Sequence, residues 1–388
     1  MPSSQGTIDG GRRIRAAVLA SRDPLNGRSW SGTSRSIFDA LDREFDLVHV
    51  EQSSFPPALQ TLNRAVSKLT RGALVLEWRP AFVRYAFGAA RERIRAADPE
   101  VLFVIAAAPL AYVAAEDWRV ITIDDATGPG LLEYYPELRN MPRQHKRFVH
   151  DISVRAIKAT MLSLYPSSWA RASAIKDAGK APEDAVEIAW GHNMRSPPAG
   201  RVRTLGTPGR LIFVGVDWAR KGGGLLVEAV RLLQAEGIAV ELDVVGCERP
   251  AGEPAADSVR FHGLLDKTKP DEAALLDRLF DEAHVLVVPS QAECYGMVFA
   301  EASAYGLPSV SVRTGGIPSV VLDGKTGILI EPGAPAAALA DAIRSLVTDP
   351  QRYNALSRNA LEDSRERLNW NVWAQRVRKL VEQRLGRR

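Results

Sequence analysis

The sequence alternates short runs of β-branched and apolar residues with segments whose apolar residues recur at helical spacing, and polar or Gly-rich turns separate most of them. This alternation predicts parallel strands joined by crossover helices. The runs that fit a strand fall into two series. They are Ile14–Ala20, Asp46–Val50, Val101–Ile105, Val120–Ile123, Met161–Tyr165 and Ala185–Ala189, and then Arg210–Val214, Val240–Val245, Val259–His262, His284–Val288, Ser309–Val312 and Ile328–Ile330. The expected fold class is therefore α/β, with two doubly wound Rossmann-like domains.

Helical patterns lie between these strands, and a linker separates the two series. The helix candidates are Thr33–Glu44, Ala58–Leu69, Ala81–Ala96, His145–Ala159, Gly223–Ala235, Asp271–Asp281, Met297–Tyr305, Pro335–Val347 and Leu368–Leu385. Residues 193–209 are rich in Pro, Gly and Arg and show no apolar period, which is typical of a linker. We therefore expect one domain over residues 1–195, a second over residues 207–367 and a C-terminal helix within residues 368–388.

Length and composition agree with two globular domains. The chain has 388 residues, of which 46% are hydrophobic and 25% charged, and this balance excludes disordered, collagenous and coiled-coil chains. Two cysteines, Cys247 and Cys294, cannot build a disulfide framework, which favours a reducing compartment. Residues 1–15 lack the apolar core of a signal peptide, and no apolar run reaches the ~18 residues of a membrane span. We therefore expect a cytoplasmic protein.

Several motifs of common cofactor enzymes are incomplete or absent from the sequence. Residues 324–327 read GKTG, but Ser319 stands where a phosphate-binding loop needs its first glycine, so a turn is favoured. Residues 222–224 read GGG and do not fit a dinucleotide-binding fingerprint. No zinc-ligand spacing and no nucleophile-elbow motif occur. The sequence thus excludes most nicotinamide, zinc and serine-hydrolase classes.

Residues 284–333 carry the strongest functional pattern. An apolar strand ends at Pro289, a short polar loop follows, and a helix begins near Met297. The start of a helix leaves backbone N–H groups unpaired, here those of Gly296, Met297 and Val298, and its dipole favours negative charge. The sequence therefore predicts an anion site suited to a diphosphate, with Gly296 permitting close approach of the backbone.

Two carboxylates accompany this helix start. Glu293 lies in the loop and Glu301 lies on the helix, eight positions later, so both can face one ligand. A carboxylate such as Glu301 can accept two hydrogen bonds from the vicinal diol of a ribose. The alternative for an isolated pair of this spacing is a solvated helix start with a surface acid.

The surrounding string decides between these alternatives. PSQAECYGMVFAEASAYGLPSVSVRTGGIPSVVLDGKTGILIEPG resembles the C-terminal signature of the retaining glycosyltransferases of family 4, the group 1 glycosyl transferases. The E-x7-E pair, G-L-P, T-G-G-I-P and D-G-x-T-G-x-L occur in the family's order. The resemblance implies the GT-B fold, in which an acceptor-side domain and a nucleotide-sugar-binding domain face a central cleft, and the last helix crosses back to the first domain.

The resemblance also assigns residues in the second domain. LIFVGVDWARKGGGLLVEAV is similar to the family's donor-phosphate loop and places Lys221 against the diphosphate. Val216 stands where many members have Arg, so Arg220 becomes the candidate for a second cation. VRFHGLLDKTKPDE is similar to the element whose backbone, here around Leu265, contacts the nucleobase. Tyr295 joins the expected substrate-binding set.

In the first domain the resemblance is more diffuse. NGRSWSGTSRSIFDAL is similar to the family's first loop, with Gly32 near the diphosphate and Thr33 as a hydroxyl contact and helix cap. Asp125 stands where many relatives have a strand-end His and could hold a sugar hydroxyl, with a helix N-cap as the alternative. His192, in a G-x-N-like element, is a candidate base or a structural linker residue.

The resemblance implies transfer of a sugar from a nucleotide diphosphate sugar, UDP- or GDP-linked, to a hydroxyl acceptor with retention at the anomeric carbon. We expect front-face attack without metal or other cofactor, because Lys221 and backbone amides can neutralise the leaving phosphate. The expected catalytic residues are Lys221, Glu293 and Asp125. The expected substrate-binding residues are Gly32, Thr33, Lys221, Arg220, Leu265, Tyr295, Gly296, Met297, Val298 and Glu301.

Other functions and partners stay open at this stage. A nucleotide-sugar epimerase, a phosphorylase or a non-catalytic nucleotide-sugar-binding module could use the same scaffold.

Residues 1–206 carry 28 Lys and Arg against 22 Asp and Glu (+6), whereas residues 207–388 carry 22 against 24 (−2). The Arg-rich stretches Arg64–Arg95 and Arg139–Arg147 could therefore meet anionic lipid or a lipid-linked acceptor at the inner membrane face, with solvated helix faces as the alternative. No nucleic-acid partner is expected.

Overall fold

The computed structural model describes residues 12–21, 23, 25, 29–52, 57–71, 74–194, 200–251 and 257–387. Each predicted strand is confirmed, with ends that differ by at most two residues. The strands are β1 (Arg15–Ala20), β2 (Asp46–Gln52), β3 (Val101–Ile105), β4 (Val120–Ile123), β5 (Leu162–Tyr165), β6 (Ala185–Glu187), β7 (Gly209–Val214), β8 (Val240–Val245), β9 (Val259–Phe261), β10 (Val285–Val287), β11 (Ser309–Val312) and β12 (Gly327–Ile330).

The predicted helices are also confirmed, again within two residues. The helices are α1 (Thr33–Glu44), α2 (Pro57–Leu69), α3 (Pro80–Ala97), α4 (Ala108–Ala114), α5 (Gly128–Tyr134), α6 (Pro136–Arg139), α7 (Arg143–Ala159), α8 (Ser168–Lys176), α9 (Gly223–Ala235), α10 (Pro270–Glu282), α11 (Met297–Ala304), α12 (Ile317–Val320), α13 (Ala336–Val347), α14 (Pro350–Glu366) and α15 (Trp370–Arg384). The helices α4, α5, α6, α8, α12 and α14 are not among the helix candidates given above. Most of these are short, and α14 is largely polar.

The strands form two six-stranded sheets. The first has the order β2-β1-β3-β4-β5-β6 and the second the order β12-β11-β10-β7-β8-β9. In the second sheet, β7 pairs in parallel with β8 on one side and with β10 on the other. The chain adds β8 and β9 on one side of β7 and then returns to add β10 on the other side. The switch point of this sheet therefore lies between β7 and β10. Open α/β sheets bind ligands at the carboxyl ends of the strands at such a switch point.

Both sheets have buried central strands. Residues Ala16–Leu19 of β1 and Val101–Val104 of β3 are fully buried in the first sheet. Residues Leu211–Phe213 of β7 and Val285–Val287 of β10 are fully buried in the second. Such continuous apolar strands are expected where helices cover both faces of a parallel sheet.

The chain divides into two compact units whose limits differ from the domain bounds expected from sequence. The first unit contains the described residues up to Ile123, Met141–Ser163 and the described residues from Ala374 onward. The second contains Asp124–Asn140 and Leu164–Trp373. Residues 124–140 therefore belong to the same unit as the second sheet, and the predicted bounds at 195, 207 and 367 stay predictions.

Candidate functional site

The loops that follow β7 and β10 carry the first predicted pair of functional residues. Lys221, at the end of the β7 loop, forms an ion pair through its ammonium with the carboxylate of Glu293 in the β10 loop. Their side chains are 12% and 13% exposed. The pair lies at the switch point of the second sheet, because β7 and β10 are neighbours there. A buried carboxylate needs such a partner, since an uncompensated charge in a low-dielectric environment is costly.

Arg220 shapes the same loops. Its Nε lies 3.1 Å from Oδ2 of Asp217, and its Nη1 donates to the carbonyl of Ala292 at 2.9 Å. The guanidinium also lies 3.8 Å from Glu293. Val216, which stands where many family members have Arg, is 72% exposed. Arg220 is thus engaged in holding the two loops together, and its predicted binding role stays a prediction.

The start of α11 has the geometry of an anion site. Gly296 is its N-cap, with a φ of +90°, and no side chain caps the helix. An added Cβ at Gly296 would lie 2.5 Å from the ring of Phe299, so a side chain is excluded on steric as well as conformational grounds. The N–H of Phe299 donates to the Gly296 carbonyl at 3.0 Å. Those of Met297 and Val298 have no partner among the residues that the structure describes, so they can bind a ligand.

Glu301 lies on the second turn of α11 and is 4% exposed. Its Oε1 accepts a hydrogen bond from Nζ of Lys267 at 2.5 Å. Lys267 belongs to the loop between β9 and α10 and is not predicted from the sequence. Leu265 lies two residues earlier in that loop and is half-buried. The structure therefore places a cation at the carboxylate that we expect to bind ribose.

Two glycines of the T-G-G-I-P string allow the Glu293 loop to dock. A Cβ at Gly315 would lie 2.1 Å from the carbonyl oxygen of Glu293, and one at Gly316 would lie 1.9 Å from that of Cys294. Gly316 also donates its N–H to the Glu293 carbonyl at 3.0 Å. These contacts explain why this string needs two consecutive glycines.

A segment that the sequence analysis did not assign holds the loop from another side. The N–H of Glu293 donates to the hydroxyl of Tyr134 at 2.9 Å, and that hydroxyl lies 2.8 Å from the hydroxyl of Thr314. The hydroxyl of Tyr135 lies 3.4 Å from Sγ of Cys294. Burial, with a further contribution from Asp125, holds the pKa of the Cys294 thiol well above its usual range. The two tyrosines are separated from the loop by about 160 residues, so local patterns cannot reveal them.

Asp125 follows β4, and its alternative role as a helix cap is wrong. The N-cap of α5 is Thr127, whose hydroxyl accepts from the N–H of Gly130 at 3.0 Å. The preceding residue, Asp124, was not predicted. Burial, together with the adjacent Asp125 charge, raises the pKa of Asp124 to about 8. A carboxyl group protonated at neutral pH can donate a hydrogen bond.

Tyr295 contacts Trp190, and His192 follows Trp190 by two residues in the chain. The Tyr295 side chain is 2% exposed, and its hydroxyl donates to the Trp190 carbonyl at 3.1 Å. The predicted substrate contact of Tyr295 would therefore have to come from its backbone. The His192 carbonyl accepts from Nε1 of Trp370 at 3.0 Å. Burial lowers the pKa of His192, while nearby Glu301 opposes this shift and Lys267 reinforces it.

Gly32 and Thr33 lie in the first unit. Gly32, with a φ of +86°, is the N-cap of α1, and no side chain caps that helix. The predicted capping role of Thr33 is therefore wrong, because Thr33 is already the first helical residue. Its side chain is 1% exposed. Residues 26–28 of the predicted first loop lie outside the described residues.

Within the described ranges, no group of three or more His, Cys, Asp or Glu side chains could hold a metal ion. Among the same residues, none of the helices has the length and apolar character needed to cross a membrane.

Residues 208–349 match the family model described as "Glycosyl transferases group 1". The matched residues are similar to that family and cover a little over a third of the chain. Over 195 residues the chain is 31% identical to the D-inositol 3-phosphate glycosyltransferase of Corynebacterium kroppenstedtii, a match that covers 46% of this chain and 42% of that protein. The chain thus spans a little under half the length of the curated relatives it matches.

Solved structures extend the similarity to nearly the whole fold. Sucrose-phosphate synthase from Thermosynechococcus elongatus matches with a TM-score of 0.68 and 18% identity, covering 96% of this chain and 100% of that one. Anabaena Alr3699/HepE in complex with UDP matches with a TM-score of 0.66 and 16% identity, covering 95% and 100%. At these identities the likeness shows the fold alone, and the predicted GT-B fold is confirmed.

The residues that match the family model contain most of the predicted donor site. Lys221, Glu293, Glu301 and the start of α11 all lie within residues 208–349. The tyrosines that hold the Glu293 loop lie outside it, in residues 124–140. The predicted site is thus completed by a segment that the family model does not cover.

Proposed function

We propose that the protein transfers a sugar from a nucleotide diphosphate sugar to a hydroxyl acceptor, with retention at the anomeric carbon and without a metal ion. The Lys221–Glu293 pair beside the uncapped start of α11 carries this proposal. It brings an ammonium, a carboxylate and free backbone N–H groups to one switch point. Such a set can bind a diphosphate and stabilise the negative charge that develops on it as the sugar leaves.

Each residue then has a role in a front-face reaction. The bond between the anomeric carbon and the donor phosphate oxygen breaks, and the acceptor oxygen bonds to the same face of the sugar. The acceptor proton passes to the leaving phosphate oxygen, so no enzyme nucleophile is required. Lys221 and the first N–H groups of α11 stabilise the leaving diphosphate. Glu293 orients the sugar hydroxyls, Glu301 binds the ribose and Asp125 holds a sugar hydroxyl.

A uridine or guanosine diphosphate is the proposed leaving group. Solved structures of a similar protein, Anabaena Alr3699/HepE, support a nucleotide-sugar donor. One is a complex with UDP and another a complex with UDP-glucose. The base, the sugar and the acceptor of this chain are to be found by screening. The acceptor is a hydroxyl compound, and a lipid-linked one fits the basic first half of the chain.

One assay separates this function from its alternatives. The purified protein is incubated with UDP- and GDP-sugars, alone and with pooled hydroxyl acceptors, and products are followed by NMR of the anomeric protons. We expect acceptor-dependent release of UDP or GDP, an α-linked product from an α-linked donor, and an unchanged rate in the presence of EDTA. A new sugar from donor alone would indicate an epimerase. Release that requires inorganic phosphate would indicate a phosphorylase, and binding without turnover a binding module.

Glu301→Ala tests the donor assignment directly. We expect this variant to lose at least about tenfold in affinity for UDP or GDP in a calorimetric titration, because a buried hydrogen bond to a charged group is lost. Glu366→Ala, which changes a carboxylate at the last residue of α14, is the control. Unchanged nucleotide affinity in Glu301→Ala would contradict the ribose assignment.

We further propose that α2 contacts anionic membrane at the cytoplasmic face. None of its side chains is buried, and Leu62 and Leu69 are 48% and 84% exposed. Arg64 and Lys68 lie on the same helix, and Tyr85 of α3 is 76% exposed. Exposed leucines beside basic residues are typical of a helix that lies in the headgroup region.

Several basic residues of α3, in the same Arg64–Arg95 stretch, are paired with acids, which concentrates this proposal on α2. Arg84, Arg91 and Arg93 form ion pairs with Glu116, Asp117 and Glu51. Co-sedimentation with vesicles of phosphatidylglycerol and phosphatidylcholine tests the contact at low and high salt. Leu69→Ser should reduce binding, whereas Leu264→Ser, at a residue 70% exposed in the second half, should not. Absence of binding at low salt would contradict the proposal.

A further inference from the structure

Glu301 is a buried carboxylate that can accept more hydrogen bonds than it does in this structure. Its side chain is 5% exposed and its Oε1 is bonded to Lys267. Within the residues that the structure describes, Oε2 of Glu301 has no hydrogen-bond partner. Oε2 is not among the fully buried side-chain atoms that lack a partner, so it is open to solvent. An unused oxygen on a carboxylate that is otherwise enclosed therefore indicates a place for a hydroxyl group of a ligand.

Lys267, in contrast, is only loosely held. Its side chain is 44% exposed, and within the described residues its ammonium forms one hydrogen bond, to Glu301. A long flexible side chain in this setting can redirect its ammonium over several ångströms without moving the backbone.

The loop around Lys267 keeps its shape by other means. Oδ1 of Asp266 accepts from the N–H of Thr268 at 2.9 Å and from its hydroxyl at 2.7 Å. Glu272 accepts from the N–H of Asp266 at 2.6 Å. These bonds fix the turn that leads into α10. The charge of Lys267 is therefore available for a role other than folding this loop.

The charges of the site show what that role is. Two ammoniums, Lys221 and Lys267, are each paired with one carboxylate, so the four groups sum to zero. Arg220 is held by Asp217 and the Ala292 carbonyl. A nucleoside diphosphate brings about two negative charges and a ribose diol into this neutral set. Burying those charges requires cations that are close and free to turn toward them.

We propose that Lys267 is an exchangeable cation of the donor site. In the free protein it neutralises Glu301; when a nucleoside diphosphate binds, the ribose hydroxyls take its place on Glu301 and its ammonium moves to the diphosphate. This inference rests on the proposed function, because it assumes that the site takes a nucleotide donor. It adds a binding residue for which neither the motif nor the family resemblance gives a role.

The exchange has a consequence for specificity. A nucleoside without phosphates must break the Lys267–Glu301 pair and offers the ammonium no new partner. A nucleoside diphosphate breaks the same pair and replaces it with a charge-assisted hydrogen bond. Lys267 therefore favours phosphorylated over unphosphorylated nucleosides, and its removal should reduce that preference.

Isothermal titration of four ligands against four proteins tests the exchange. The ligands are UDP, GDP, uridine and guanosine. The proteins are the wild type, Lys267→Met, Lys267→Arg and Lys269→Met. Lys269 is the matched control, since it lies two residues away in the same loop and pairs with Glu272 on the surface. Thermal unfolding of each variant is measured in parallel.

We expect Lys267→Met to weaken binding of the preferred diphosphate about tenfold or more and to leave binding of its nucleoside unchanged or stronger. Lys267→Arg should keep diphosphate binding within a few-fold of wild type, and Lys269→Met should change neither ligand. Equal weakening of both ligands by Lys267→Met would overturn the proposal by making Lys267 a support for Glu301. Tighter binding of both ligands to Lys267→Met would also overturn the proposal, because Lys267 would then only compete with ligands for Glu301. A wild type that binds neither UDP nor GDP would instead overturn the donor assignment, and this inference with it.

Discussion

Two Lys–Glu pairs within residues 208–349 have the same chemistry and different surroundings. In the Lys221–Glu293 pair both side chains are largely enclosed, at 12% and 13% exposure. In the Lys267–Glu301 pair the carboxylate is enclosed at 5%, but the lysine is 44% exposed. Because Lys221 is enclosed together with Glu293, we expect this pair to be a fixed part of the site. A charge whose partner reaches it from solvent can exchange that partner for a ligand.

The surroundings of Glu293 explain why its pair is fixed. Its N–H is bonded to Tyr134 and its carbonyl accepts from Gly316. The backbone on both sides of this carboxylate is thus held by segments from elsewhere in the chain. Glu301, on the second turn of a helix, needs no such support because the helix itself fixes its direction. The predictions below test this difference, from the largest expected effect to the smallest.

Lys221→Met should have the largest effect. It removes a cation from the proposed leaving group, so we expect kcat to fall about 100-fold. It also leaves Glu293 buried without its main partner, which should lower the free energy of unfolding by about 3 kcal/mol. Steady-state kinetics and chemical denaturation measure the two effects separately. Lys267→Met also leaves a buried carboxylate, Glu301, without its partner, but a pair with a lysine that is 44% exposed contributes less, so its loss of stability should be smaller.

The double variant Lys221→Met/Glu293→Gln sharpens this prediction. Removing both charges should recover most of the lost stability without recovering activity, since no unpaired buried charge remains. A double variant as unstable as Lys221→Met would contradict the idea that the pair is fixed by mutual neutralisation.

Gly316→Ala should push the Glu293 loop out of place. Its Cβ would lie 1.9 Å from the Cys294 carbonyl oxygen, and such overpacking costs about 2 kcal/mol. We expect a lower melting temperature and weaker nucleotide binding. Gly224→Ala is the control, because a Cβ there meets nothing within 4 Å and alanine favours a helix. Equal behaviour of the two variants would show that the loop tolerates the displacement.

Tyr134→Phe removes one hydroxyl from the support of Glu293. The loss of a partner for the Glu293 N–H should lower the free energy of unfolding by about 1 kcal/mol. Because the loop is held less firmly, kcat should fall several-fold more than nucleoside diphosphate affinity does. Tyr85→Phe, at a residue 76% exposed, should change neither quantity. A purely structural role for Tyr134 would lower stability and leave the kinetics at wild-type values.

His192→Gln probes the neighbourhood of the second pair. Burial lowers the folded-state pKa of His192 below its value in the unfolded chain. The unfolded chain therefore takes up a proton that the folded protein does not as the pH falls below about 6.5, and stability is lost. The Gln variant should lose less stability than wild type between pH 7 and pH 5, by up to about 1 kcal/mol. Denaturation curves at several pH values measure this, and identical slopes would contradict it.

The sequence predicts the parts of this molecule that depend on local pattern. Both sheets, the switch-point loops and the glycines at 315 and 316 follow from runs and motifs shorter than about 20 residues. The partners of these motifs do not follow from them. Tyr134 meets Thr314 across 180 positions of sequence, and Lys267 meets Glu301 across 34. Nothing local distinguishes these side chains from other surface tyrosines and lysines.

The errors also have physical causes. Thr33 fits the residue preference of a helix cap, but the chain enters α1 in a left-handed conformation that Gly32 adopts more readily. Asp125 is a good capping residue too, yet the N-cap of α5 is Thr127, two residues later, and the helix begins at Gly128. The direction of the Tyr295 side chain, which the sequence does not predict, depends on the course of an irregular loop, and its predicted substrate contact stays a prediction. Helix α14 is largely polar, and its apolar residues are too few to give a clear pattern.

The two cysteines have a practical consequence for experiments. Cys247 and Cys294 are free and buried, and burial raises the pKa of both thiols. A thiol reacts with alkylating reagents as its thiolate, so both should be nearly inert to maleimides at neutral pH. A cysteine introduced in place of the exposed Leu264 would then be the site that takes up a fluorophore, three residues from Lys267. Such a probe would report, in real time, the change in its surroundings when the Lys267 side chain leaves Glu301, without labelling of the protein's own thiols.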